Sequence, residues 1–78
     1  MTANEPLGLY IKLSNHKGIK STKVTTLIAK TVSELSHAEQ TKVLDDSDIE
    51  SLEKIFVAAY ENKFFEVCRR IKEIVDKY

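Results

Sequence analysis

Apolar side chains recur at Ile49, Leu52, Phe56, Tyr60, Phe64, Cys68, Ile71, Val75 and Tyr78, eight steps across 29 residues or 3.6 residues per step. That is the period of an α-helix. Ile55, Ala59, Val67 and Ile74 widen the stripe beyond a coiled-coil seam, as expected of a helix packed against several others. Glu66, Arg69, Arg70, Glu73, Asp76 and Lys77 share the opposite face, and the Glu66–Arg70 and Glu73–Lys77 pairs have the favourable four-residue order. Residues 47–78 therefore read as helical and buried along one side. Ser47 with Glu50 forms a capping-box pattern at their start. A single helix of this length would run about 46 Å, long for a compact monomer of this size. The pattern therefore predicts a hairpin turning near Asn62, a residue type that tolerates the left-handed conformation. A straight helix would instead point to a dimer.

The first half of the chain is less decisive. Residues 1–4 are expected to fray. Over residues 7–13, Leu9, Ile11 and Leu13 alternate with Tyr10 and Lys12 as in a strand. The same stretch also reads as a helix, with Pro6 in its first turn and Gly18–Ile19 as a left-handed cap that folds Ile19 back on Leu13. Val24, Leu27, Ile28, Val32 and Leu35 have helical spacing, with Ser21 or Thr22 as the cap. Ser36-His37-Ala38-Glu39 is a second capping box, predicting a short helix over residues 37–44 with Val43 and Leu44 inward. The predicted fold class is all-α, a single domain over residues 1–78 with four to five helices and a C-terminal helical hairpin. An α+β fold with a short N-terminal hairpin is the alternative, pairing residues 7–13 with the β-branched segment 24–29.

Charge changes the picture more than composition does. At 42% hydrophobic and 31% charged residues, the proportions are those of an ordinary globular domain. Twelve basic and twelve acidic residues cancel, unlike the positive surplus usual in small proteins that coat nucleic acid. Their distribution is uneven. Residues 1–30 carry five lysines against Glu5, whereas residues 31–54 carry seven acids against two lysines. A basic end and an acidic middle are placed to meet each other or to meet partners. With 78 residues the domain is near the lower limit for a single core without staples or a partner.

Candidate chemistry is sparse. Asp46, Asp48 and Glu50 alternate like the first ligands of a calcium loop. Ser51 and Val57 stand where that loop needs glycine and glutamate, so a charged helix start explains them better. The segment Gly18-Ile19-Lys20-Ser21 misses the phosphate-loop spacing by an inserted isoleucine. His16 and His37 are not spaced as a metal pair, and the lone Cys68 lies on the apolar stripe as a small hydrophobe. Phe65 adjoins Phe64, so the two cannot share one helix face, and an exposed Phe65 together with Ile74 or Val57 would form an apolar contact patch.

These features suggest a non-enzymatic protein-binding domain, acting as an adaptor, inhibitor or regulatory subunit and requiring no cofactor or metal. Its expected surfaces are an apolar and basic helix face at Phe65, Arg69 and Arg70, and an acidic turn at Asp45, Asp46, Asp48 and Glu50. The alternatives are nucleic-acid binding through Lys12, Lys17, Lys20, Lys23 and Lys30, or a self-associating module that forms a homodimer. The single cysteine and the absence of a secretory pattern or a long apolar run point to a cytoplasmic protein with no membrane partner.

Overall fold

The computed structural model describes residues 5–77, and the expectations for residues 1–4 and for Tyr78 lie outside them. Five α-helices follow one another: α1 (Glu5–Ile11), α2 (Lys23–Glu34), α3 (His37–Asp45), α4 (Ile49–Glu61) and α5 (Phe65–Val75). No strand occurs among the described residues, which excludes the α+β alternative there. The radius of gyration, 11.2 Å, is close to the roughly 11.5 Å expected of a compact chain of this length.

Helix α4 is the centre of the molecule. Its Leu52, Ile55, Phe56, Val57, Ala58 and Ala59 are all buried, and it packs most extensively against α5 and α2. From the other elements, Leu13, Ala29, Val32, Leu44, Val67, Cys68 and Ile71 complete the core. The hairpin forms as the length argument implied, with α4 and α5 packed against one another. Val57 is fully buried, so the contact patch that would have used it does not form.

The turns show how local chemistry fixes the path. Helix α1 runs on into a wider π-type turn (Lys12–His16), in which the Lys17 amide donates to the Lys12 carbonyl at 3.2 Å. Gly18 then adopts φ +69°, and the Ile19 amide donates back to the Leu13 carbonyl at 3.0 Å, giving the left-handed cap expected from the sequence. Thr22 caps α2 by accepting from the Thr25 amide, and Ser36 caps α3 by accepting from the Glu39 amide.

Three local expectations are corrected. The α4 cap is Asp48, which accepts from the Ser51 amide at 3.1 Å, and not Ser47. Ser47 is still held by the end of α3, where its hydroxyl donates to the Val43 carbonyl at 2.9 Å. At the hairpin, the left-handed residue is Lys63 at φ +65°, while Asn62 lies at φ −100°. The amides of Lys63 and Phe64 donate to the carbonyls of Tyr60 and Ala59, which is the Schellman arrangement with lysine at the position where glycine is usual. Asn62 acts one residue earlier, its side-chain amide donating to the Ala58 carbonyl at 2.8 Å. On α3, Leu44 is buried but Val43 is exposed, since residues roughly 100° apart cannot both face the core of a short helix.

Candidate protein-contact site

The largest departure from the sequence pattern is on α2. The stripe of Val24, Leu27 and Ile28 faces solvent, with 67%, 64% and 39% of each residue exposed. Ala29 and Val32 are the buried residues of this helix, flanked by half-buried Thr25, Thr26 and Ser33. Small side chains thus make up most of the packed side of α2, which lies chiefly against α4. Close packing of this kind leaves no volume for a leucine or a valine stripe. Lys23 and Lys30 lie seven residues apart beside Leu27 on the outer face, and Lys20 lies three residues before the start of the helix.

Among the described residues, Lys20, Lys23 and Lys30 are exposed and make no ion pair. Of the five N-terminal lysines, only Lys17 makes an ion pair among the described residues. Lys17 is consumed by Glu53 at 2.9 Å, and Lys12 sits on the π-type turn after α1. A sequence signal for the exposed ridge did exist. Lys23, Lys30 and Glu34 fall next to Leu27 around the helix, whereas the arc through Thr25, Ala29, Val32 and Ser33 carries no charge.

Phe65 opens α5 and is 48% exposed. It packs edge-to-face on Tyr60 at 5.6 Å between ring centroids, and Tyr60 stacks on Tyr10 at 4.4 Å. The Tyr10 hydroxyl donates to Glu61 at 2.8 Å, and the Ser21 hydroxyl donates to the other oxygen of the same carboxylate. The hydrogen bond to Glu61 holds Tyr10 above its ordinary pKa, because the proton is shared with an anion. Phe65 is thus the outer end of an aromatic row, and it borders a shallow groove of about 440 Å³ with Leu35, His37, Gln40 and Val67.

The two arginines part company. Arg70 is largely buried, donating to Glu66 at 3.2 Å and to His37 at 2.7 Å, which ties α5 to the start of α3. Only Arg69 is left exposed beside Phe65. Lys72 pairs with Asp76 at 2.8 Å in place of the expected Glu73–Lys77 pair. Gln40 is buried at the other side of the same groove, where its amide donates to the carbonyls of Val32 at 2.9 Å and Leu35 at 3.3 Å. Those carbonyls lie at the end of α2, where that of Val32 also accepts from the Leu35 amide, and the buried glutamine side chain supplies a further donor.

The acidic turn lies between α3 and α4. Asp45 and Asp46 are exposed and make no ion pair among the described residues, while Glu50 reaches Lys54 at 3.6 Å. Asp48 is engaged as the cap, and the hydrogen bonds from Ser51 hold its carboxyl below the usual range. Two exposed apolar side chains flank the turn, Val43 at 42% and Ile49 at 38%.

Cys68 is fully buried, and burial pushes its thiol up to about 12, the reverse of what an activated nucleophile needs. Its sulfur lies 3.9 Å from the Phe56 carbonyl, so the sequence reading of a small core hydrophobe holds. The described residues contain no group of three metal-ligating side chains, and no helix among them is long and apolar enough to cross a membrane.

The fold and these surfaces define a small five-helix bundle carrying an exposed apolar ridge bordered by lysines. No family model, curated relative or solved structure matches the chain.

Proposed function

We propose that this chain is a non-enzymatic protein-binding domain, an adaptor, inhibitor or regulatory subunit, whose principal contact face is the outer side of α2. The observation that carries this reading is the exposure of Val24, Leu27 and Ile28 on one ridge of a helix whose other side is already packed. An amphipathic helix normally turns such residues inward, so a solvent-facing stripe with a charged border is the mark of a surface covered by something else. Phe65 with Arg69, and the acidic turn at Asp45, Asp46, Asp48 and Glu50, are secondary surfaces of the same domain. Arg70 contributes by fixing α5 to α3. The sole cysteine, buried as a thiol, fits a reducing cytoplasmic setting.

A photo-crosslinking amino acid placed at position 27 in cells tests this. The expected result is one or a few discrete protein adducts that are missing when the same group stands at exposed Thr41 on α3. Adducts that are identical from both positions, or none from position 27, would sink the reading. Nucleic-acid binding is kept as a second reading by one observation, the exposed Lys20, Lys23 and Lys30, which make no ion pair among the described residues. Three phosphate contacts would give a salt slope of about −3 in a log–log plot of affinity against salt. An affinity independent of salt removes it.

A further inference from the structure

We infer that the partner of the α2 ridge is the acidic turn of a second copy of this chain, so that the protein self-associates head to tail. This deepens the reading above and rests on it. The argument is one of complementary surfaces left unsatisfied within one copy. Lys23 and Lys30 on α2 lie beside the ridge of Val24, Leu27 and Ile28, Lys20 lies three residues before the helix, and none of the three makes an ion pair among the described residues. At the α3–α4 turn, Asp45 and Asp46 likewise make no ion pair among the described residues, with Asp48 and Glu50 adding negative charge, and exposed Val43 and Ile49 flank them. Each surface combines apolar contact with one sign of charge, and the signs are opposite. Basic and acidic regions do meet once inside the copy, through Lys17 and Glu53, and that contact leaves both of these groups unused.

Zero net charge removes the repulsion that would otherwise keep copies apart. Because the ridge and the turn are different surfaces, the contact is heterologous, and each added copy presents a fresh ridge and a fresh turn. The assembly therefore grows with concentration instead of stopping at a two-fold dimer. Apolar burial supplies the attraction, and the charges set orientation and exclude ridge-to-ridge pairing.

The experiment is light scattering or sedimentation of the full chain across micromolar to millimolar concentration, at low and moderate salt. Three variants accompany it: Leu27→Ser, the triple charge reversal K20E/K23E/K30E, and the double reversal D45K/D46K, which spares the cap at Asp48. All altered side chains are exposed, and circular dichroism checks that each variant is folded. The wild-type mass is expected to rise with concentration and to fall with salt, and each variant alone is expected to associate at least tenfold more weakly. An equimolar mixture of the two charge-reversed variants is expected to regain association, since each then offers a surface matched to the other. A wild type that stays monomeric throughout overturns the inference. Association that survives D45K/D46K but is lost in Leu27→Ser also overturns it, and assigns the ridge to a symmetric dimer. A monomer that still gives discrete adducts from position 27 breaks this inference alone, whereas a monomer that gives no adducts from position 27 breaks the proposed function as well.

Discussion

Helices α2 and α4 are nearly equal in length, at 12 and 13 residues, and both carry a regular apolar stripe, yet they use it in opposite ways. In α4 the stripe is the core: Leu52 and Phe56 are fully buried, with Ile55 and Val57 to Ala59 widening the face. In α2 the stripe is the surface, and a narrow band of small residues does the packing. A hydrophobic period therefore announces a helix and a face, but the volume available across the contact decides which face turns inward. Ala29 and Val32 are the buried residues of α2, and the larger Val24, Leu27 and Ile28 are left outside.

The comparison is broken most severely by emptying the α4 side. Phe56→Ala removes the largest fully buried side chain and is expected to cost about 3–5 kcal/mol. Native stability for a domain is on the order of 5–15 kcal/mol, and one this small lies toward the lower end. A denaturant titration should therefore show a midpoint that has collapsed or a chain largely unfolded in buffer. Next in size is Ala29→Leu, which puts a large side chain where the packing admits a small one. Overpacking of that kind is expected to cost about 1–3 kcal/mol, measured the same way. A neutral result would show that the small-residue face does not set the direction of α2.

Much of the fold can be read from residues whose effect is local. The boxes at Ser36 and Glu39, the Gly18–Ile19 cap and the period through Leu52 to Ile71 each depend on neighbours a few residues away, and each appears where the pattern puts it. What escapes the sequence depends on competition. Ser47 and Asp48 are both good caps, and the choice falls on Asp48 because Ser47 is already bound to the last turn of α3. Asn62 and Lys63 compete for the left-handed position, and Asn62 is drawn instead to the Ala58 carbonyl. The candidate site follows the same division. The acidic turn was identifiable from charge alone, whereas the exposed ridge had to be read from the charge-free arc through Thr25, Ala29, Val32 and Ser33 on the other side of α2.

Lys63 sharpens the lesson about turns. A non-glycine residue in the left-handed region costs roughly 1–2 kcal/mol, partly offset by the greater backbone freedom of glycine in the unfolded chain. Lys63→Gly is expected to stabilise the protein by about 1 kcal/mol, raising the melting temperature by roughly 4–8 °C in a domain of this size. No gain in melting temperature would mean that the lysine side chain has a role that its exposed position does not suggest.

The caps give a smaller effect with a defined sign. Hydrogen bonds from Ser36 and Ser51 hold Glu39 and Asp48 below their ordinary values of 4.5 and 3.8. A carboxyl whose folded pKa is depressed stabilises the fold above its unfolded pKa and loses that contribution as pH falls through the folded one. Melting temperature should therefore decline as the solution is acidified below the ordinary carboxylate range. Asp48→Asn keeps an acceptor for the Ser51 amide but cannot titrate there. It should leave the neutral-pH melting temperature nearly unchanged and flatten the acid limb.

The smallest expected effect on stability bears most directly on function. Leu27→Ser changes a large apolar residue, but one that is 64% exposed and lies outside the core. Surface substitutions of this kind usually stay within about 0.5 kcal/mol. If α2 turns its stripe outward as described, unfolding of Leu27→Ser should superimpose on wild type at concentrations where the chain is monomeric. At concentrations where copies associate, the two curves should separate, because a contact made only by the native state stabilises it by mass action. A large loss at every concentration would place Leu27 in the core and turn the helix over. A dilution series of melts on two proteins thus decides whether the α2 stripe is an interior or an interface.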